Sequence, residues 1–314
     1  SCAWAGAGML APGCELETAD ISIARLGQQS LERWPGIVEA LDEDVDLKTN
    51  GSLVVAHPGD QGELERLSRQ ITEPGWMEQV SGPRIQELEP QLGNRFSSAL
   101  FFPHEGHINN RQLLSALAAT LHRHRVTWHA GTEVQDVEPG RIKTAETSYS
   151  FDAVADTRGM GARPDLSNLR GVRGELIYID APEVELKRPV RFMHPRYPIY
   201  IVPRRHPRFL IGATSIESED YSPISVRSAL ELLSAAYALH PGFAEARVVE
   251  TVTQCRPAFP DNRPLMQVKD GLLRINGLYR HGFLVSPMLI EFAGAFLATG
   301  AIPEQAEPFM KACT

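Results

Sequence analysis

The sequence predicts an α/β protein in which a doubly wound half is interleaved with an antiparallel sheet. Three observations carry that prediction. Two strand-like runs, residues 149–155 and 272–275, each feed a glycine turn, Arg158-Gly159-Met160-Gly161 and Asn276-Gly277, and the second leads on to a strongly apolar helical pattern at 288–297. From Gly174 the texture changes to short strand candidates at close spacing, which suits an antiparallel sheet in a separate domain. No repeat and no low-complexity linker separates the two textures, so the chain crosses between them several times.

The elements follow in order. Residues 1–12, SCAWAGAGMLAP, are mostly small. Such a run lets backbone approach something flat or bulky, or it is a flexible leader. Ile21, Ile23, Ala24, Leu31 and Trp34 predict a helix, Pro35-Gly36 punctuates it, and a second helical piece runs to Leu41. Residues 51–56 and 99–102 read as strands, and Leu64, Leu67 and Ile71 mark a helix between them that ends before Pro74-Gly75. Asn110 is a suitable N-cap for a helix carrying Leu113, Leu114, Leu117 and Leu121. Residues 126–129 and 134–137 read as strands about a turn at Gly131. In the second texture the strand candidates are 175–179, 190–193, 200–202, 209–213 and 248–253. One helix interrupts them: Ser222 caps it, Pro223 sits in its first turn, and Val226, Ala229, Leu230, Leu233 and Tyr237 form its face.

Composition narrows the function classes. A chain of 314 residues makes two domains or one large one, and 43% hydrophobic with 22% charged residues is an ordinary globular mixture. A net charge of -8 argues against a nucleic-acid partner, though a few buried arginines can still serve an anionic substrate. The longest apolar runs are too short to span a bilayer. Cys2, Cys14, Cys255 and Cys313 form no CxxC pair, so a reduced, cytoplasmic setting is the simplest reading. The sequence leaves a homo-oligomer open.

Several residues could carry chemistry. The stretch Asn276-Gly277-Leu278-Tyr279-Arg280-His281-Gly282-Phe283-Leu284 places a cation and an imidazole in a glycine-flanked loop before a helix. A helix N-terminus reached in this way can hold an anion or a polar cofactor edge. An ordinary turn with a surface arginine fits the same spacing. Arg256, fixed between Cys255 and Pro257 at a strand end, could pair a carboxylate bidentately or make a surface or interdomain salt bridge. Tyr200 alternates on a strand, and its hydroxyl could donate to the same carboxylate or be satisfied by backbone in a core. His104 and His107 form an HxxH pair, but nothing at ligand spacing completes a metal site, so no metal is expected. Neither GxSxG nor GK[ST] occurs.

Taken together, the residues resemble the glycine oxidases of the thiamine-biosynthesis (ThiO) type, in the D-amino-acid-oxidase-like flavoprotein family. The resemblance rests on Ala7-Gly8-Met9-Leu10, Gly51-Ser52-Leu53, Arg173-Gly174-Glu175, Tyr200-Ile201-Val202-Pro203-Arg204, Ile211-Gly212-Ala213-Thr214, Cys255-Arg256-Pro257 and Gly277-Leu278-Tyr279-Arg280-His281-Gly282, in that order along nearly the whole chain. It implies FAD held between two domains. Residues 1–46, 108–168 and 256–314 would form the FAD-binding domain, and 47–107 and 169–255 the substrate domain. Ala7, Gly8 and Met9 would lie along the flavin ring, with Gly159 among the cofactor contacts and Val134 at the adenine through its backbone. Gly277, Arg280, His281, Gly282, Phe283 and Leu284 would face the pyrimidine edge. Arg256 and Tyr200 would clamp a substrate carboxylate, with Arg280 near both substrate and cofactor. The implied partners are a small amino acid or amine and molecular oxygen. The implied reaction yields an imine and hydrogen peroxide, and the imine becomes a 2-oxo acid and ammonia or feeds thiazole synthesis.

Two features depart from the family pattern. The family opens with a strand, a GxGxxG loop, a helix and an acidic residue that binds ribose, and the chain here starts after that unit. The expectation is therefore an N-terminally truncated FAD domain that binds the cofactor poorly or not at all. Ser215 stands where relatives carry a larger apolar residue, which leaves side-chain preference open. Two other readings share these residues: a D-amino-acid dehydrogenase that passes electrons to a quinone, and a flavin-free domain without activity.

Overall fold

The computed structural model describes residues 1–17, 19–194 and 197–310, so Cys313 lies outside the described residues. The opening run forms a one-turn helix, α1 (Cys2–Ala5), a two-residue strand, β1 (Met9–Leu10), and another helical turn, α2 (Pro12–Glu15). Asp20 caps α3 (Ile21–Leu31) by accepting from the Ser22 N–H. The expected break between two helical pieces occurs, at Glu32 and Arg33 rather than at Pro35-Gly36. Pro35 and Gly36 both sit in the first turn of α4 (Trp34–Glu39), where a missing N–H costs nothing.

Next come β2 (Ser52–Ala56), α5 (Gln61–Gln70), β3 (Glu78–Ser81), α6 (Gly82–Leu88), β4 (Ser98–Phe102), β5 (Gly106–His107) and α7 (Asn110–Arg123). The cap of α7 is Asn109, which accepts from the Gln112 N–H. Asn110, expected in that role, is buried and instead donates to the Ala3 and Trp4 carbonyls at 2.8 and 3.0 Å. Residues 126–129 form no strand, and Val126 and Trp128 are exposed. The run 149–155 is split between β8 and β9, because Tyr149 pairs with Ile142 in a small antiparallel sheet of β6 (Val134–Glu138), β7 (Arg141–Thr144) and β8 (Ser148–Ser150). The strand β9 (Val154–Asp156) belongs to a different sheet.

The second half contains β10 (Arg170–Asp180), β11 (Val190–Met193), β12 (Ile199–Pro203), β13 (Arg208–Gly212), α8 (Val226–Leu239), β14 (Arg247–Ala258), β15 (Leu265–Lys269), β16 (Leu272–Asn276) and α9 (Gly282–Thr299). Ser225, not Ser222, caps α8, and Pro223 lies outside it. Its buried face is also not the expected one. Leu232, Ala235, Ala236 and Leu239 are buried, while Val226, Leu230, Leu233 and Tyr237 are exposed. Two apolar stripes share this helix, and the sheet takes the one whose alanines allow close approach.

One eight-stranded sheet has the order β14-β10-β13-β12-β11-β2-β4-β3. Its pairs are antiparallel except β11–β2, which is parallel and joins the two stretches of chain that build the sheet. Successive residues point to opposite faces. Ile177, Ile179, Ile201 and Ile211 pack with Leu232 and Leu239 of α8. Leu176, Tyr178, Val202 and Leu210 pack under Ala5 and Ala7 on the other face. A three-stranded sheet, β15-β16-β9, pairs β16 with β9 in parallel. Over it pack α3 and α9, through Ile23, Leu26, Leu284, Met288 and Phe292.

The helix α9 corrects one expectation. It has 18 residues and is long and apolar enough, by length and composition, to cross a membrane. Here one side of it is core, and Glu291 on another side pairs with Arg33 at 3.1 Å.

Candidate active site

The second face of the large sheet, the α1–β1 run, the Gly159 turn and the start of α9 enclose a cavity of about 760 Å³. That lies within the range of cofactor and ligand sites.

The sheet wall brings Arg256 and Tyr200 together. Arg256 projects from β14, in register with Val172 of β10, and Tyr200 from β12, in register with Gly212 of β13. Both side chains lie flat over glycines. A Cβ on Gly174 would come 2.4 Å from the Arg256 Cζ, and one on Gly212 would come 2.5 Å from the Tyr200 ring. Arg256 Nη1 donates to the Thr214 carbonyl at 3.1 Å. Among the described residues no carboxylate pairs with this guanidinium within 4.0 Å. Burial chiefly, with Arg280 adding to it, pulls the Arg256 pKa down, against raising contributions from Tyr200 and Tyr279. An ion taken from water without a counter-ion is costly, so this corner is organised for an anion. Burial pushes the Tyr200 phenol up, which keeps it a hydrogen-bond donor.

The opposite wall is mostly backbone. Gly8 has φ +63, and a Cβ there would meet the Ile108 carbonyl at 2.1 Å. Arg204 Nη2 donates to the Ala7 carbonyl at 2.6 Å, and Met9 pairs with His107 between β1 and β5. The small residues are thus held by their amides, which leaves their faces to the cavity. Gly159, with φ +57, turns the chain beside them.

Helix α9 begins at Gly282, so Gly282, Phe283 and Leu284 are its first turn rather than loop, and all three line the cavity. Its first-turn N–H groups have no intrahelical acceptor. Arg280 also lines the cavity, with Nε 3.9 Å from Glu15 Oε2, and His281 Nδ1 is 3.3 Å from the same oxygen. Burial would raise the Glu15 pKa, but Arg280, His281 and Arg191 outweigh it and hold the carboxyl well below its usual range. Glu15 in turn raises Arg280. Arg280 is therefore a matched cation and Arg256 an unmatched one.

Three of the residues singled out in the sequence do not line this cavity. Val134 lies on β6, in a cluster with Val137, Val154 and Leu272. Gly277, with φ +68, packs against Phe259 and sets the turn. His281 is buried behind the wall. Ser215, read in the sequence as bearing on side-chain preference, does line it; conversely, Glu15, Gly174, Thr214 and Tyr279 line it and were not singled out as site residues. Ser215 Oγ and Tyr279 Oη meet at 3.1 Å. Tyr279 stood in the quoted loop, and Gly174 and Thr214 in quoted fragments, but nothing local marks Glu15, which reaches Arg280 only through the fold.

These residues fit a flavin ring. One side offers a backbone strip without bulky side chains, and the end offers a helix N-terminus with unpaired donors. The comparisons with known proteins agree. The DAO family, described as FAD dependent oxidoreductase, matches residues 1–292. ThiO of Rhizobium etli, by name a thiamine biosynthesis oxidoreductase, is 44% identical over 305 residues, which is 97% of this chain and 86% of that protein. The glycine oxidase of Geobacillus kaustophilus is 28% identical over 306 residues, covering 90% of this chain and 80% of its own. Its crystal structure superposes with a TM-score of 0.83 and 25% identity, over 98% of this chain and 87% of that one. The chain therefore belongs to the DAO family and is an FAD-dependent oxidoreductase.

Proposed function

We propose that this enzyme oxidises glycine or another small amino acid or amine to the imine, with oxygen as the electron acceptor and hydrogen peroxide as the second product. The observation that carries the reading is Arg256, a half-buried guanidinium lining the cavity with no carboxylate within 4.0 Å among the described residues. A substrate carboxylate supplies the missing charge, with the Tyr200 hydroxyl as a second donor. This pairing fixes the substrate's Cα–H bond relative to the backbone strip at Ala7, Gly8 and Met9. A desolvated site favours the neutral amine, whose lone pair forms the C=N bond as hydride leaves Cα. Water then hydrolyses the imine to a 2-oxo acid and ammonia. FAD, which the Ala7–Met9 strip and the first turn of α9 would hold, would supply the two-electron redox chemistry that links the substrate's Cα to oxygen. Ser215 and Tyr279, whose hydroxyls meet at 3.1 Å, line the cavity together with Thr214.

The names of the relatives, glycine oxidase and the thiamine biosynthesis oxidoreductase ThiO, support glycine as substrate and thiamine biosynthesis as the use of the product; delivery of the imine to thiazole synthesis is part of the same proposal. The free thiols of Cys2, Cys14 and Cys255 suit a reducing, cytoplasmic setting. The test is to mix the FAD-loaded protein with glycine anaerobically and then admit air. The yellow absorbance should bleach and return, with one peroxide formed per glycine consumed. No bleaching with any small amino acid sinks the reading, and bleaching without peroxide moves the electrons to another acceptor such as a quinone.

A further inference from the structure

The tripeptide Arg173-Gly174-Glu175 lies directly behind Arg256. Gly174 makes room for the guanidinium, as its Cβ distance shows. The acceptor that holds the guanidinium is the Thr214 carbonyl, and Thr214 is tied to Glu175 at three points. Its N–H donates to the Glu175 carbonyl at 3.3 Å. Its hydroxyl donates to Glu175 Oε2 at 2.9 Å and accepts from the Glu175 N–H at 2.9 Å.

The other carboxylate oxygen of Glu175 accepts from Arg173 Nη2 at 2.6 Å, Arg173 Nε at 3.1 Å and the Ser225 N–H at 3.3 Å. Both side chains of this ion pair are buried, at 5% and 0% exposure. Arg173 is itself anchored to the Asp220 and Pro223 carbonyls at 2.6 and 2.9 Å. The placement matters for charge. A carboxylate paired directly with Arg256 would compete with an incoming acid. Glu175 sits on the neighbouring strand, has its charge matched by Arg173, and reaches Arg256 only through a neutral hydroxyl and carbonyl.

We infer that Glu175 is a positioning residue for the carboxylate clamp, fixing the Thr214 carbonyl and through it the guanidinium of Arg256, without neutralising that guanidinium. The inference rests on the reading of Arg256 as the group that holds the substrate carboxylate.

The test uses the full FAD-loaded chain and three variants: Glu175→Gln, Thr214→Val and Arg256→Ala. For each, KM and kcat with glycine, the Kd of acetate by calorimetry and the melting temperature are measured. Glu175→Gln and Thr214→Val should raise the glycine KM and the acetate Kd together by about tenfold, as one lost buried hydrogen bond does, and change kcat by less than about threefold. A lower melting temperature with an unchanged acetate Kd would mean a merely structural role and overturn the inference. Arg256→Ala separates the two levels. If it weakens acetate while the other two variants do not, the clamp stands and the positioning role falls. If it leaves acetate binding unchanged, the clamp falls and this inference with it. Should Glu175→Gln fail to fold, Thr214→Val still decides, because it keeps the Arg173–Glu175 pair.

Discussion

The β14 end and the α9 end of the cavity each present a half-buried arginine, and they are electrostatic opposites. At the α9 end, Glu15 raises the pKa of Arg280 and is itself held ionised. At the β14 end, Arg256 has among the described residues a carbonyl and no carboxylate, and its pKa is pulled down, chiefly by burial. One end is complete in the protein alone. The other is complete only with a ligand. A binding site for an anion is recognisable here less by its cation than by the counter-ion the fold withholds from it.

Four measurements break or sharpen this contrast. The largest effect is expected from Arg256→Ala, which should raise the glycine KM by about two to three and a half orders of magnitude, since a desolvated charge that loses its partner costs about 3–5 kcal/mol. An unchanged KM would erase the distinction between the ends. The next concerns stability without substrate. Arg256→Met removes an unmatched, half-buried cation and should stabilise the protein by about 1 kcal/mol in urea unfolding. Arg280→Met strands Glu15 and should destabilise it, so equal signs for the two variants would contradict the contrast.

Third, Gly174→Ala places a Cβ at 2.4 Å from the guanidinium. It should displace Arg256 and raise KM with little change in kcat, at an overpacking cost of about 1–3 kcal/mol. Gly294→Ala in α9, where nothing lies within 4 Å of the added carbon, is the control and should gain about 0.5–1 kcal/mol. The smallest effect is a pH slope at the α9 end. The Glu15 pKa is depressed in the fold, so its contribution to stability is complete above the ordinary value of 4.5 and is lost as pH falls below it. Comparing urea midpoints at pH 6 and pH 3.5 in wild type and Glu15→Gln should show a shallower slope in the variant. Arg256→Met should leave that slope as it is.

Local patterning was a good guide where an element's period and its neighbours agreed. The strands β10 to β13 fall close to the runs of β-branched and aromatic residues that predicted them. It misled where two solutions were locally equivalent. Asn109 and Asn110 are both capable caps, and α8 carries two apolar stripes; only the rest of the molecule chooses between them. Residues 126–129 have strand-like letters but no neighbouring strand to pair with in this structure.

What the sequence determined by itself is therefore most of the long helices and sheet strands, the mixed α/β class and the family, because periodicity, glycine turns and short ordered fragments are properties of adjacent residues; short elements such as β3, α6 and β15 were not legible in it. Tertiary structure alone decided which charges meet. Glu15 finds Arg280, Thr214 finds Glu175, and Arg256 has no carboxylate beside it among the described residues. Coulomb and hydrogen-bond partners act through space over a few ångströms, and residues that close in the fold are far apart in the chain.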